Sequence, residues 1–159
     1  VLRLTDSVIS GSASLRFLQR QPDVDWKAHD LDIYTPSTYA VRVLAYLVDV
    51  EGYQIDDVNR PTYHADSQGY QRVYHLSKGD LSIDVIQSNT LSALHPLPFF
   101  WGSHVITFVG ADMYCLPYPA LTLQSRAVLN PIALILLEYP RPRTVDCIHK
   151  YEERGFSIR

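Results

Sequence analysis

The segment DLDIY (residues 30–34) sets two aspartates two positions apart, with Leu31 and Ile33 alternating between and after them. In a strand, residues i and i+2 share a face. Asp30 and Asp32 then project together on one side, and Leu31 and Ile33 on the other. Aspartate is depleted in strands, and like charges side by side repel. At ~4 Å and an effective dielectric of ~20 the repulsion is roughly 4 kcal/mol. A bound divalent cation relieves it. A third acid, Asp84, lies in LSIDVI, where Ile83 and Val85 point away from it. If that strand runs beside DLDIY, three carboxylates converge. Ions that handle phosphates want hard oxygen ligands, and Mg²⁺ takes one or two carboxylates besides water and substrate oxygens. A pair of such ions clamps the attacking and the leaving oxygen of a phosphoryl displacement. The remaining component is ISGSASLRFL (9–18). Gly11 permits a tight turn and the close approach of a ligand. The helix that follows points free N–H groups at an anion, and Ser12 adds a hydroxyl donor. A triphosphate held there lies against the aspartates.

These residues need elements to position them. Val8-Ile9 starts an apolar run, a Ser-Gly-Ser turn follows, and Leu15, Phe17 and Leu18 mark a helix. Residues 21–29 read as a polar loop. DLDIY is a strand ended by Thr35-Pro36. Ser37 is the expected N-cap of a helix carrying Val41, Leu44, Leu47 and Val48, with Gly52 as its C-cap. Residues 54–70 are polar and turn-rich. QRVYHLS (71–77) and LSIDVIQS (81–88) flank Lys78-Gly79-Asp80 and predict a β-hairpin. HVITFVG (104–110) predicts a strand or a short buried helix. Further helices are expected over 120–129 and over 144–156, the second ending near Gly155. The order predicts an α+β domain, a small mixed β-sheet flanked by helices. It is read as a single domain over 1–159, with a core over 1–118 that holds the acidic site and a short C-terminal helical extension over 119–159.

The 159 residues are 47% hydrophobic, enough for one domain with a sizeable core. The formal net charge of −3 gives no sign of broad electrostatic capture of nucleic acid, and leaves room for a local basic groove. Cys115 and Cys147 form no CxxC pair and read as reduced, which fits an intracellular, cytoplasmic protein. The apolar run IALILLEY (132–139) is too short to span a bilayer and is expected as a buried helix or strand; no membrane partner is expected. The chain begins VLRL without methionine, as a trimmed domain or fragment would.

The ordered set Gly11-Ser12, Asp30-Leu31-Asp32-Ile33 and Ile83-Asp84-Val85 resembles the nucleotidyltransferase superfamily with the DNA-polymerase-beta-like fold. SGSASLRFL, HDLDIY, LSIDVI, YCLPYPALTLQSR and KYEERGF further resemble uncharacterised nucleotidyltransferase-like proteins of mushroom-forming fungi. The resemblance implies metal-dependent transfer of a nucleoside monophosphate from an NTP to an acceptor, a protein hydroxyl, an RNA end or a small molecule, with release of pyrophosphate. It implies two Mg²⁺ (or Mn²⁺) ions, with Asp30 and Asp32 binding both. Asp84 would bind the catalytic one and help activate the acceptor. Gly11, Ser12 and Arg126 would hold the triphosphate. Residues 13–29 make a longer connection to the DxD than many relatives have, and Asp23-Val24-Asp25 offers a second DxD. Asp30 and Asp32 are preferred because they have apolar strand partners and a Pro-Ser helix start after them.

Lys27, His29 and Lys150 read as ordinary loop or solvated charges, and the six histidines lack metal-ligand spacing. The aromatic residues between 99 and 118, Trp101 included, read as core. Two alternatives compete with an active enzyme. One is a catalytically inactive nucleotide-binding or protein-interaction domain of the same fold. The other is an unrelated domain whose aspartates are separately solvated, more than ~10 Å apart and screened from one another.

Overall fold

The two acid-bearing strands turn Ile33, Ile83 and Val85 into the core on one face and hold Asp30, Asp32 and Asp84, half-buried, on the other. The computed structural model describes residues 1–19, 25–56, 69–131 and 142–159. Strand β1 (Val8–Ser10) runs into helix α1 (Gly11–Gln19), and β2 (Asp30–Thr35) follows. Helix α2 (Ala40–Ala45) continues as a π-helical turn over Tyr46–Val50. Next come β3 (Gln54–Ile55), β4 (Tyr70–Lys78) and β5 (Leu81–Ser88). Among the described residues the further strands and α-helices are β6 (Phe108–Val109), β7 (Tyr114–Cys115), α3 (Pro119–Thr122), β8 (Arg126–Ala127), α4 (Pro142–Glu153) and β9 (Ser157–Ile158).

A seven-stranded sheet has the order β3-β4-β5-β2-β1-β6-β7. Only the β2–β5 pairing in it is parallel. The expected α+β class, a mixed sheet flanked by helices, is therefore the observed one. The parallel pair needs a crossover, and α2 supplies its covering layer. Ile33, Ile83, Val85 and Leu76 of the sheet pack on Val43, Leu44 and Leu47. A second cluster around Leu15, Val105, Tyr151 and Phe156 fastens α1 to α4 and the chain's last residues. At its centre His104 is fully buried, with the rings of Tyr151, Phe156 and Trp101 at 4.5, 4.8 and 4.9 Å. Trp101 thus packs as expected, whereas Phe99, Tyr114 and Tyr118 of the same aromatic cluster are exposed rather than core.

Several local expectations are corrected. The helix after β2 starts at Ala40, not after a Ser37 cap. The Ser37 N–H donates to the Thr90 carbonyl (2.8 Å) and its carbonyl accepts from Gln87 Nε2 (2.9 Å), so Ser37 ties β2 to the end of β5 instead. The buried stripe is Val43, Leu44 and Leu47, while Val41 and Val48 face outward. Gly52 does turn the chain out of the helix, at φ +73°. The helix expected over 120–129 is only the four residues of α3. Ser125, Ala127 and Leu129 exchange backbone hydrogen bonds with the tail, in Ser157 N–H to Ser125, Arg159 N–H to Ala127 and Leu129 N–H to Arg159. The tail competes for those groups and wins, so the C-terminal extension holds a two-stranded parallel sheet, β8–β9, besides its helices. HVITFVG divides into a 3₁₀ turn, Ser103–Val105, and β6. The hairpin and α4 match their expected places.

The polar loop at 21–24 with Asp23 and Val24, the turn-rich 57–68 and the apolar run 132–139 lie outside the described residues. Among the described residues no helix is long and apolar enough to cross a membrane. Cys115 and Cys147 are not disulfide-bonded.

Leu76 is 1% exposed at the centre of the sheet's apolar face. Leu76→Ala is expected to lower unfolding free energy by ~2–5 kcal/mol in a denaturant titration. A loss below ~1 kcal/mol would show that this face is not the core.

Candidate active site

The strand registers put four polar residues in one transverse row. Ser10 of β1 faces Asp32 of β2, Asp32 faces Asp84 of β5, and Asp84 faces His75 of β4. Adjacent strands lie ~4.7–4.9 Å apart, so Asp32 and Asp84 are immediate neighbours. Separate solvation of these two acids is thereby excluded. Asp30 sits two residues before Asp32 on the same face, opposite Ser82.

Each carboxylate has its own restraint. Ser12 Oγ, in the first turn of α1, donates to Asp30 Oδ1 at 3.4 Å. Asp32 lies against Gly11, the first residue of α1. A Cβ on Gly11 would stand 2.2 Å from Asp32 Oδ2, and Gly11 has φ +67°, a region that disfavours any side chain. The close approach that the glycine permits is therefore that of the Asp32 carboxylate. Asp84 Oδ1 is bonded to His75 Nδ1 at 2.7 Å.

Burial, and then the charges of Asp30 and Asp84, push the Asp32 carboxyl from its ordinary 3.8 up to about 7. The positive charges of Lys150 and Arg143, both on α4, pull the other way. Two cations of α4 thus act electrostatically on Asp32. Arg126 is exposed on β8, in the second sheet rather than on the acid-bearing one. Lys27 and His29 are exposed just before β2. Their carbonyls accept from Arg154 Nη2 (3.4 Å) and Ser82 Oγ (3.3 Å), a loop role as expected. His75 was missed by the spacing argument, because its partner is set by hairpin register and not by sequence interval.

Among the described residues no three or more His, Cys, Asp or Glu side chains gather tightly enough to enclose a metal ion. The donor chemistry nevertheless suits Mg²⁺, which takes few carboxylates and completes its shell with water and phosphate oxygens. Asp32 with its raised pKa is a carboxylate whose ionised form a nearby cation would stabilise.

No protein-family model matches the sequence, and no curated protein matches it. Among solved structures, the chain is similar to a tRNA nucleotidyltransferase whose crystal structure was determined with a primer tRNA and an incoming ATP analogue. The superposition has a TM-score of 0.53 at 12% identity. It covers 81% of this chain and 37% of that one, so the chain spans little more than a third of its neighbour's length. The fold is nucleotidyltransferase-like.

Two expectations follow from the geometry. Because the Asp32 pKa is raised, the unfolded chain loses this proton first as pH rises. Stability is then lost progressively between about 4 and about 7 and stays reduced above. Asp32→Asn removes that loss. In metal-free buffer the variant should exceed the parent by on the order of 2–4 kcal/mol at pH 8, with the difference vanishing near pH 3. A pH-independent difference in denaturant titrations would reject the assignment. Gly11→Ala should cost more than the ~1–2 kcal/mol of a left-handed backbone, and only about that much in an Asp32→Ala background. Equal costs in both backgrounds would mean that the carboxylate is not what Gly11 accommodates.

Proposed function

We propose that this chain is a metal-dependent nucleotidyltransferase that moves a nucleoside monophosphate from an NTP to an acceptor. The observation that carries the reading is the Asp32–Asp84 pair, in register on parallel strands at the foot of α1, in a nucleotidyltransferase-like fold. The acceptor oxygen forms a bond to the α-phosphorus, the bond to the bridging oxygen of the β-phosphate breaks, and pyrophosphate leaves. Two Mg²⁺ (or Mn²⁺) ions, when bound, supply charge neutralisation at both of those oxygens. Asp30 and Asp32 would hold both ions, and Asp84 would hold one and accept the acceptor's proton. The N-terminus of α1, with Gly11 and Ser12, would orient the triphosphate through backbone N–H groups. Arg126 remains a proposed phosphate contact. Lys150 and Arg143 join it, because their charges already reach Asp32. Positioning and electrostatics then do the work, with no covalent intermediate.

The neighbour's ligands, a primer tRNA and an ATP analogue, support an NTP as donor and make an RNA end one candidate acceptor, beside a protein hydroxyl and a small molecule. A second reading is a catalytically inactive nucleotide-binding or protein-interaction domain of the same fold, since the superposition with the solved structure bears on the fold at 12% identity.

Calorimetric titration with a non-hydrolysable NTP, with and without Mg²⁺, tests the proposal. Binding should require Mg²⁺ and be lost in Asp30→Asn/Asp32→Asn, and label from an α-labelled NTP should then appear on an acceptor. Mg²⁺-dependent binding without transfer to any acceptor class would favour the inactive reading. No binding by the parent protein would reject both nucleotide roles.

A further inference from the structure

Asp84 stands between a repelling neighbour and an attracting one. Asp32 occupies the same row on β2, and His75 occupies it on β4. The terminal torsion of an aspartate is broad, so only a bond to one of its oxygens fixes the carboxylate plane. His75 Nδ1 makes that bond to Oδ1 at 2.7 Å, while 18% of the His75 side chain and 28% of that of Asp84 stay exposed. A carboxylate without a proton only accepts hydrogen bonds, so holding it in that form requires the Nδ1-protonated tautomer of His75. Oδ1 is then engaged, and Oδ2 is the oxygen left to meet a hard cation or an acceptor hydroxyl. Asp30 is held by Ser12 and Asp32 is walled by Gly11, so His75 completes a set of three separate restraints on three carboxylates.

We propose that His75 is a positioning residue of the candidate active site: its Nδ1–H holds Asp84 Oδ1 so that Asp84 presents Oδ2 alone as a one-oxygen ligand. The inference rests on the transferase reading for the ligand's identity and on the hairpin geometry for the contact. A partly exposed pair of this kind adds little to stability, so the fold does not need it. Outer-sphere partners of metal ligands commonly change metal affinity ~10–100-fold when removed. That is the expected loss here.

The substitutions are selective. The amide nitrogen of asparagine falls near the place of Nδ1, and that of glutamine near Nε2. His75→Asn should keep the bond; His75→Gln and His75→Phe should lose it. The probe is Mn²⁺ with a non-hydrolysable ATP analogue, titrated calorimetrically into each 159-residue chain after circular dichroism and thermal melting confirm that it folds. The parent and His75→Asn should bind alike, and His75→Phe and His75→Gln ~10–100-fold more weakly. Nitrogen-15 NMR of the metal-free parent at pH 8 should show the His75 ring protonated at Nδ1.

An Nε2-protonated ring, or undiminished Mn²⁺–nucleotide affinity in folded His75→Phe, overturns the role of His75 while leaving the transferase reading standing. Absence of Mn²⁺–nucleotide binding in the parent overturns the transferase reading and, with it, the positioning role. In that case an Nδ1-protonated ring would retain the hydrogen bond only as a structural contact.

Discussion

Two carboxyl groups that share one register position on adjacent parallel strands are the constraint around which this molecule is arranged. Asp32 and Asp84 share one register position, and nothing about strand pairing favours that. The arrangement persists because the opposite face of the same strands is anchored. Leu31 and Ile33 on β2, and Ile83 and Val85 on β5, lie against α2 and its π-helical continuation. A slip of one residue would turn the acids into that apolar layer and the apolar residues out. The hydrophobic face therefore enforces the electrostatic strain on the polar one, and a row of specific contacts contains it. Ser12 hydrogen-bonds Asp30, His75 hydrogen-bonds Asp84, and burial followed by the charges of both neighbours raises the proton affinity of Asp32.

The connection between β2 and β5 is what makes the neighbours possible. The chain crosses from one to the other through α2, β3 and β4, so acids some fifty positions apart in sequence meet in the middle of the sheet. The first turn of α1 closes the site from the β1 side, and α4 supplies positive charge. Each of these parts is fastened independently of the acids. Ser14 Oγ contacts the Thr107 hydroxyl at 2.7 Å beneath α1, and Tyr151 of α4 is buried in the aromatic cluster around His104. The site is thus assembled from elements whose anchoring lies elsewhere.

Much of this was legible in the sequence, for definite reasons. Strict alternation around Asp30, Asp32 and Asp84 identified two strands and their polar faces, and the Ser-Gly-Ser turn marked the start of α1. The Gly79 turn located the hairpin. The same turn contained more than was read from it. Counting back three residues on each strand from the closing pair Lys78–Leu81 puts His75 opposite Asp84. Register arithmetic would have found this partner where metal-ligand spacing found none. Other features were not legible because they depend on distant competition for backbone groups. Ser37 looks like a cap, but the segment after β5 takes its N–H. Residues 123–129 read as helix, but the tail takes their hydrogen bonds. Val41 and Val48 fit a helical stripe as well as Val43 does, and only the position of the sheet chooses between them.

His104 carries a consequence of its own. Burial among aromatic rings, with neither ring nitrogen hydrogen-bonded, drops its pKa from the ordinary 6.5 to about 3. The folded chain therefore keeps His104 neutral where the unfolded chain would protonate it. Asp32 does the reverse, keeping a proton that the unfolded chain would release. Between about pH 4 and 6.5 the two groups have opposite linkage slopes of one proton each. On unfolding, His104 takes up a proton and Asp32 gives one away. The pair amounts to an internal proton exchange, and across that range their summed contribution to stability is insensitive to acidity. A metal ion that ionises Asp32 in the folded state removes one half of the exchange. It would leave His104 alone to make the loaded protein progressively less stable as pH falls from about 6.5.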